Sequence, residues 1–433
     1  MLELQLTQPG ASPRALSLRA NFSWSFIGNV VYAACQWGIL IVLAKLASPE
    51  SVGRFALGLA VTAPVIMMSN LQLRGALATD ARLEYHYSEY LTLRMLTTAA
   101  AFVAVAAIVV LNGYARETGL IVLAVALAKS FESISDISYG VLQHQEHMDR
   151  IACSLMMRGV IALFALWAGV YFWKSVAVAS LAMAGGWAIA AVFDLRQACR
   201  VARESRWRPQ PLSPDDRVQR LSMLTVSAVP LGIVVMLLSL NVNVPRYVIQ
   251  HYRGEGALGM FAVAAYLMVA GTTTIGALGQ SASPRLAQYY AAGNLQAYWG
   301  LMRTLLAIAA AMGLIGILIA ASSGRLILTM LFTKDYAGAS DVLAWIMVAG
   351  AVGYIASVLG YGLTAARRFA IQAPLAALVT GVTATASVLL IPHYGLVGAA
   401  WATTAGTATQ AIGSGVLLHG VLAGSKPQAA AAS

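Results

Sequence analysis

Charge is what this chain has least of. Only 10% of its 433 residues are Asp, Glu, Lys or Arg, against 59% that are hydrophobic. A soluble domain cannot hide that much apolar surface, so a bilayer must act as solvent for most of the chain. Cysteine is nearly absent. Cys35, Cys153 and Cys199 lie far apart with no CxxC spacing, which excludes a disulfide framework or a zinc set and leaves them as buried packing residues. The opening "MLELQLTQPGASPRALSLRANFSW" has no short apolar core with a small-residue cleavage site, so residues 1–20 read as a cytoplasmic lead-in. No Walker P-loop and no GxSxG elbow occur. "HQEHM" (144–148) lacks a glutamate directly after its first histidine and a third ligand, so it is a solvated turn. No large loop outside the bilayer could hold a nucleotide-sugar site, and Asp215–Asp216 is solvated linker charge. The expectation is a protein that is not an enzyme, holds no metal and needs no organic cofactor.

What is present is a series of apolar runs. About 20 apolar residues cross a hydrocarbon core of roughly 30 Å. By that measure spans fall near 21–44, 52–73, 90–111, 118–142, 151–173, 176–195, 221–243, 257–280, 300–322, 341–364, 371–391 and 396–420. That pattern predicts an all-α polytopic membrane protein. The second, fourth, eighth and twelfth spans are rich in Gly, Ser and Thr, which let helices approach closely in a packed bundle.

Nineteen basic residues fall in the loops and span ends on the side of the N-terminus and eight on the other, so both termini are expected in the cytoplasm. The net charge of +11 is then mostly topology and contact with anionic lipid, and no folded basic domain exists outside the bilayer to bind nucleic acid. The longest polar segment is "RQACRVARESRWRPQPLSPDDRVQRLS" (196–222), whose three prolines break any continuing helix. It separates an N-lobe (21–195) from a C-lobe (221–421) across a cytoplasmic linker (196–220), with an unstructured tail at 422–433. "SVGRFALGLAV" and "ALGMFAVAAYL" align at a shift of 206 residues, matching Gly53 to Gly259 and Phe55 to Phe261. Both open the second span of their half, as parallel repeats would, and transporters built this way bind substrate between lobes.

The fourth span carries charge. At 100° per residue Lys129, Glu132, Asp136, Tyr139 and Gln143 share an arc of about 80°, with Lys129 about 15 Å deep. Each charge at a helix centre costs on the order of 2.5–3.5 kcal/mol. A Lys129–Glu132 pair would lower that as internal glue. The remaining polar members are more than one pair requires, and a continuous polar face lines a wet cavity. Arg54 lies in the first turn of the second span and Arg74 at its end. Arg158 falls one turn into the fifth span and Asp194 near the end of the sixth. Asn241, Asn243 and Arg246 fall at the outer end of the seventh, where Pro245 predicts a stop or bend, and Arg285 closes the eighth. Each arginine alone fits either a snorkelling role or a ligand contact. Together they predict a positively biased interior suited to a diphosphate.

The strings "NFSWSFIGNVVYAACQWGILIVLAKLASPESVGRFALGLAVTAP", "KSFESISDISYGVLQHQEHMDRIACSLMMRG", "NVPRYVIQHYRGEGALGMFAVAAYLMVAG", "ALGQSASPRLAQYY" and "YGLVGAAWATT" resemble Wzx-type polysaccharide flippases, a branch of the multidrug/oligosaccharidyl-lipid/polysaccharide (MOP) superfamily. The resemblance runs from Asn21 to about Val421. It implies two six-helix lobes around a central cavity, in a V-shaped, MATE-like fold working by alternating access. The implied cargo is an undecaprenyl-diphosphate-linked oligosaccharide moved across the bacterial inner membrane for O-antigen, capsule or exopolysaccharide. Arg54, Arg74, Arg158, Arg246 and Arg285 would line a cationic cavity, and Lys129, Glu132 and Asp136 fit the span-four motif. Glu132, Asp136 or Asp194 could carry a coupling proton or sodium ion. Implied partners are membrane lipids, a polysaccharide polymerase and a chain-length regulator. The rival readings are a cation-coupled multidrug exporter, a lipid II flippase and a scaffold in a glycan synthase complex.

Overall fold

A computed structural model describes residues 18–80, 84–204, 214–366 and 371–424, and among these there are helices but no strand. The order is α1 (Leu18–Leu46), α2 (Pro49–Asn70), a short α3 (Leu73–Ala78), α4 (Tyr87–Leu111), α5 (Arg116–His144), α6 (Met148–Trp173) and α7 (Val176–Glu204). Then follow α8 (Pro214–Ala291), α9 (Leu295–Leu331), a 3-10 turn (Lys334–Ala339), α10 (Ser340–Ala365) and α11 (Gln372–Gly424). α8 breaks at Gly254 (φ 81°) and α11 at Gly395 (φ 60°), so each is two helices in sequence. Counted with these breaks the described residues form twelve long helices, one for each expected span. In lipid a backbone must satisfy its own hydrogen bonds, and helices do so within one segment.

Helix ends follow local chemistry. Ser48 caps α2, its Oγ accepting from the Ser51 N–H at 3.3 Å, with Pro49 in the first turn where its missing N–H costs nothing. Glu89 closes a capping box on α4 by accepting from the His86 N–H at 2.7 Å.

Three apolar clusters give the molecule its shape. The largest draws on both halves: Ile39, Val52, Phe55, Val125 and Trp187 from one, Ile249, Phe261, Ile346 and Ala399 from the other. It lies at the end where α2 begins and α8 breaks, hereafter the Gly254 end. At the opposite end the cores are separate. One joins α3, α4, α5, α6 and α7 to the start of α8, and the other joins the remainder of α8 to α9, α10 and α11. The two halves are therefore fused at one end and parted at the other. Two glycines make the fusion possible. A Cβ on Gly53 would lie 1.8 Å from the Glu255 carbonyl oxygen, and one on Gly259 would lie 2.0 Å from that of Pro49. The backbones of α2 and α8 touch there.

Several sequence expectations need correction. Pro245 does not end its helix, which runs on to Gly254, because glycine takes the positive φ of the break without a Cβ penalty. Asn241, Asn243 and Arg246 consequently sit about two to three and a half turns before that break and not at the outer end of the helix. Helix extends into both flanks of the expected linker, to Glu204 and from Pro214. Cys153 is exposed on α6 and Cys199 half-buried, leaving only Cys35 buried. Residues 1–17, most of the expected tail and the basic residues Arg82, Arg206, Arg208, Arg367 and Arg368 lie outside the described residues.

Candidate functional site

The N-terminal half lines a cavity of about 470 Å³. Its described wall comes from the N-terminal half: Ile66, Met67 and Asn70 of α2, Gln72 and Arg74 beyond it, and Lys129, Glu132, Ser133, Asp136 and Gln143 of α5. Most of the expected stripe therefore faces one space, as helical periodicity requires. Tyr139 does not. It is 2% exposed and packs behind the wall.

The stripe holds two ionic groups. Glu132 receives Lys129 Nζ at 2.6 Å, Arg158 Nη2 at 2.6 Å and the Tyr32 hydroxyl at 3.2 Å. Gln36 donates to that hydroxyl at 2.8 Å, and the Arg158 guanidinium lies 5.0 Å from the Trp187 ring centroid. One turn further along, Asp136 receives Arg74 Nη1 and Arg94 Nη2, each at 3.3 Å. Arg74 also donates to Gln143 Oε1 at 3.2 Å, and Arg94 to Asn70 Oδ1. Four cations thus share two carboxylates, an excess of positive charge along one wall. Their exposures differ. The Lys129 and Arg74 side chains are 26% and 36% exposed, whereas Arg158 and Arg94 are sealed at 2% and 0%. For Arg158 the interfacial snorkelling role is thereby excluded.

Lys129 also lines a second chamber of about 120 Å³ toward the Gly254 end, with Gln36 and Trp187 from one half and Arg246 and Tyr266 from the other. Arg246 donates to Asn243 Oδ1 at 3.0 Å and pairs with no carboxylate among the described residues. Asn241 instead accepts from the Thr383 hydroxyl at 2.6 Å and holds α8 to α11. Arg285 is exposed near the end of α8, away from the cavity wall described here. Asp194 is 1% exposed and accepts from Ser154 Oγ at 2.8 Å.

Arg54 has a different place from the one expected. At the Gly254 end it joins Glu117 of α5 to Glu255 of α8, donating to the latter at 2.6 Å. Thr118 donates to the same Glu255 at 2.5 Å. Above the chamber the halves are thus tied by an ion pair as well as by glycine contact. At the parted end the start of α8 crosses to the N-terminal half. Arg220 grips Glu89 of α4 at 2.6 and 3.1 Å, and Gly232 lies against Met68 and Leu71. Arg94, Glu255, Tyr32 and Arg220 were invisible as site residues in the sequence, since each is defined by a partner on a distant helix.

Comparison with known proteins places this architecture. The "Capsular polysaccharide biosynthesis protein CapF" of Staphylococcus aureus is 26% identical over 381 residues, covering 88% of this chain and 94% of that protein. An inward-facing MATE family multidrug resistance transporter of the MOP superfamily matches with a TM-score of 0.72 at 11% identity, over 93% of this chain and 100% of that one. The lipid II flippase MurJ in an inward closed conformation gives 0.71 at 12% identity, over 93% and 87%. The fold is that of MOP superfamily transporters, a polytopic membrane bundle. A sequence model of the polysaccharide biosynthesis protein family matches residues 18–290, well over half the chain, and the chain belongs to that family.

Proposed function

We propose that the protein is a flippase that moves a lipid-diphosphate-linked oligosaccharide across the cytoplasmic membrane for a surface polysaccharide. The observation that carries this reading is the net positive charge of the cluster at the cavity wall, where Lys129 and Arg74 face the space, the sealed Arg158 and Arg94 stand behind them, and only Glu132 and Asp136 oppose the four. A diphosphate supplies the missing negative charge, and guanidinium forks match its oxygens. The undecaprenyl tail stays in lipid while the sugar occupies the water-filled space. The family and the capsular relative support the polysaccharide context. No step in this scheme makes or breaks a covalent bond, so the protein acts as a carrier and not as an enzyme.

The excess of basic residues on one side supports a topology with the parted end and both termini in the cytoplasm. The cavity then faces the leaflet in which the precursor is made. Release on the far side requires the Gly254 end to part, which means undoing the Arg54–Glu255 pair and the glycine contact while the other end closes. The polymerase and the chain-length regulator that consume the product are expected partners on that far side.

The test is the double substitution Arg74→Ala with Lys129→Ala. Each carboxylate keeps one buried cation, Arg94 for Asp136 and Arg158 for Glu132, so the helices hold while the excess positive charge is lost. In reconstituted vesicles, labelled lipid-linked oligosaccharide should reach the far leaflet with the wild type and not with the double variant. Equal transport by both would overturn the reading.

A further inference from the structure

Besides Glu89, which Arg220 holds, three acidic side chains lie in the interior of the N-terminal half, and their surroundings separate them. Glu132 is held by Lys129 and Arg158, and Asp136 by Arg74 and Arg94. Protonating either would strand two cations inside the protein, so neither is suited to exchange charge during a cycle. Asp194 of α7 is different. It is 1% exposed, and no cation pairs with it among the described residues. Its hydrogen-bonding neighbours are neutral, Ser154 at 2.8 Å with Ser135 and Tyr139 buried beside it, and the one cation near it, Arg158, is bonded to Glu132.

We propose that Asp194 is a proton-binding site of this transporter, read out at the cavity wall through Ser154 and Tyr139. The proposal rests on the transport reading above and names its driving ion. The hydrogen-bond chain is directional. The Ser154 hydroxyl donates to Asp194 Oδ2 at 2.8 Å, so its oxygen must accept from the Tyr139 hydroxyl at 2.7 Å. Tyr139 in turn accepts from Arg158 Nη1 at 3.4 Å, and Arg158 holds Glu132 at 2.6 Å. Every hydrogen points toward a carboxylate at Asp194. When Asp194 takes up a proton it becomes the donor, Ser154 turns its hydrogen to Tyr139, and the Tyr139 hydrogen turns away from Ser154. The protonation state of one sealed carboxyl is thereby transmitted over two hydroxyls to the Arg158–Glu132 pair. The other titratable or charged groups facing this pocket are Tyr87 of α4, whose hydroxyl meets Ser138 Oγ at 3.3 Å, Cys199 of α7 near Tyr87, and Arg158 of α6. Arg158 is already committed to Glu132. A single carboxylate among hydroxyls presents one negative charge, which a proton neutralises without further ligands.

The experiment is infrared difference spectroscopy of the full chain in lipid nanodiscs as pH is stepped. It needs no substrate. A protonated-carboxyl stretching band that titrates should be present in the wild type, absent in Asp194→Asn and retained in Glu132→Gln. Ser154→Ala keeps the carboxyl and removes its donor, so the band should persist with a displaced midpoint, which also covers failure of Asp194→Asn to fold. A wild type without the band, or a band unchanged in Asp194→Asn, overturns the proposal. In reconstituted vesicles an imposed pH gradient should accelerate wild-type translocation, while Asp194→Asn moves substrate only down its own gradient. Acceleration by a sodium gradient in place of a pH gradient would also overturn it. Wild-type vesicles that move no lipid-linked sugar at all would refute the transport reading, and the infrared result would still decide Asp194.

Discussion

At the scale of single residues, charges that look alike in the sequence have different tasks. Arg94 is sealed and bridges Asn70 to Asp136, whereas Arg74 reaches the same carboxylate from the cavity with a third of its side chain exposed. Removing the shared acid is therefore the damaging change. Asp136→Leu leaves Arg94 buried without a counter-ion and should lower stability by about 3–5 kcal/mol. Adding Arg94→Leu should recover most of that loss, and Arg74→Ala alone should cost under about 1 kcal/mol. Thermal unfolding in detergent checks all three. The stripe itself was legible, because Lys129, Glu132, Asp136 and Gln143 obey one helical period and need no knowledge of neighbours. Arg94 was not, since nothing within its own helix distinguishes an arginine whose partners arrive from α2 and α5. The same blindness made Arg54 a cavity candidate, when Glu117 and Glu255 hold it at the fused end.

At the scale of helices, breaks and contacts are set by glycine more than by proline. Pro245 lies within α8, and the bend falls at Gly254 with φ 81°. Gly254→Ala should cost about 1–3 kcal/mol, the penalty of forcing a residue with a Cβ into a φ 81°, ψ −178° conformation that is essentially glycine's alone, while Pro245→Ala should leave stability nearly unchanged. The α2–α8 contact makes a sharper case. Gly53→Val would drive a branched side chain into the Glu255 carbonyl, so the helices must separate or the chain must misassemble. The expected result is a protein held open at the Gly254 end. A cysteine replacing Gln36, which lines the inner chamber, should then react with a membrane-impermeant thiol reagent from the far side, and not react from there when Gly53 is intact. The sequence announced this contact only faintly, as one short match between the halves. Its depth is a matter of two backbones meeting, which no side-chain pattern records.

At the scale of the whole molecule, hydropathy placed all twelve helices because lipid leaves the chain little choice, and it could not say how the two bundles lean. That is decided by one shared apolar core at the Gly254 end against two separate ones at the other. It is decided also by the opening of α8, which crosses the gap to clamp Glu89 with Arg220. If that clamp fixes the distance between bundles, Arg220→Glu should cut surface polysaccharide in cells that depend on this protein. The exchanged pair Arg220→Glu with Glu89→Arg should restore part of it, measured as polymer per cell at matched protein level.

Gly53 and Gly259 stand 206 positions apart, align with each other in the internal match and meet across the molecule. The Cβ that either would carry meets the facing backbone first, the Glu255 carbonyl for Gly53 and the Pro49 carbonyl for Gly259. Backbone cannot be trimmed by a substitution, and the counterpart is already glycine, so no second change can make room for a bulkier residue at either site. Among natural variants of this chain both positions should stay glycine.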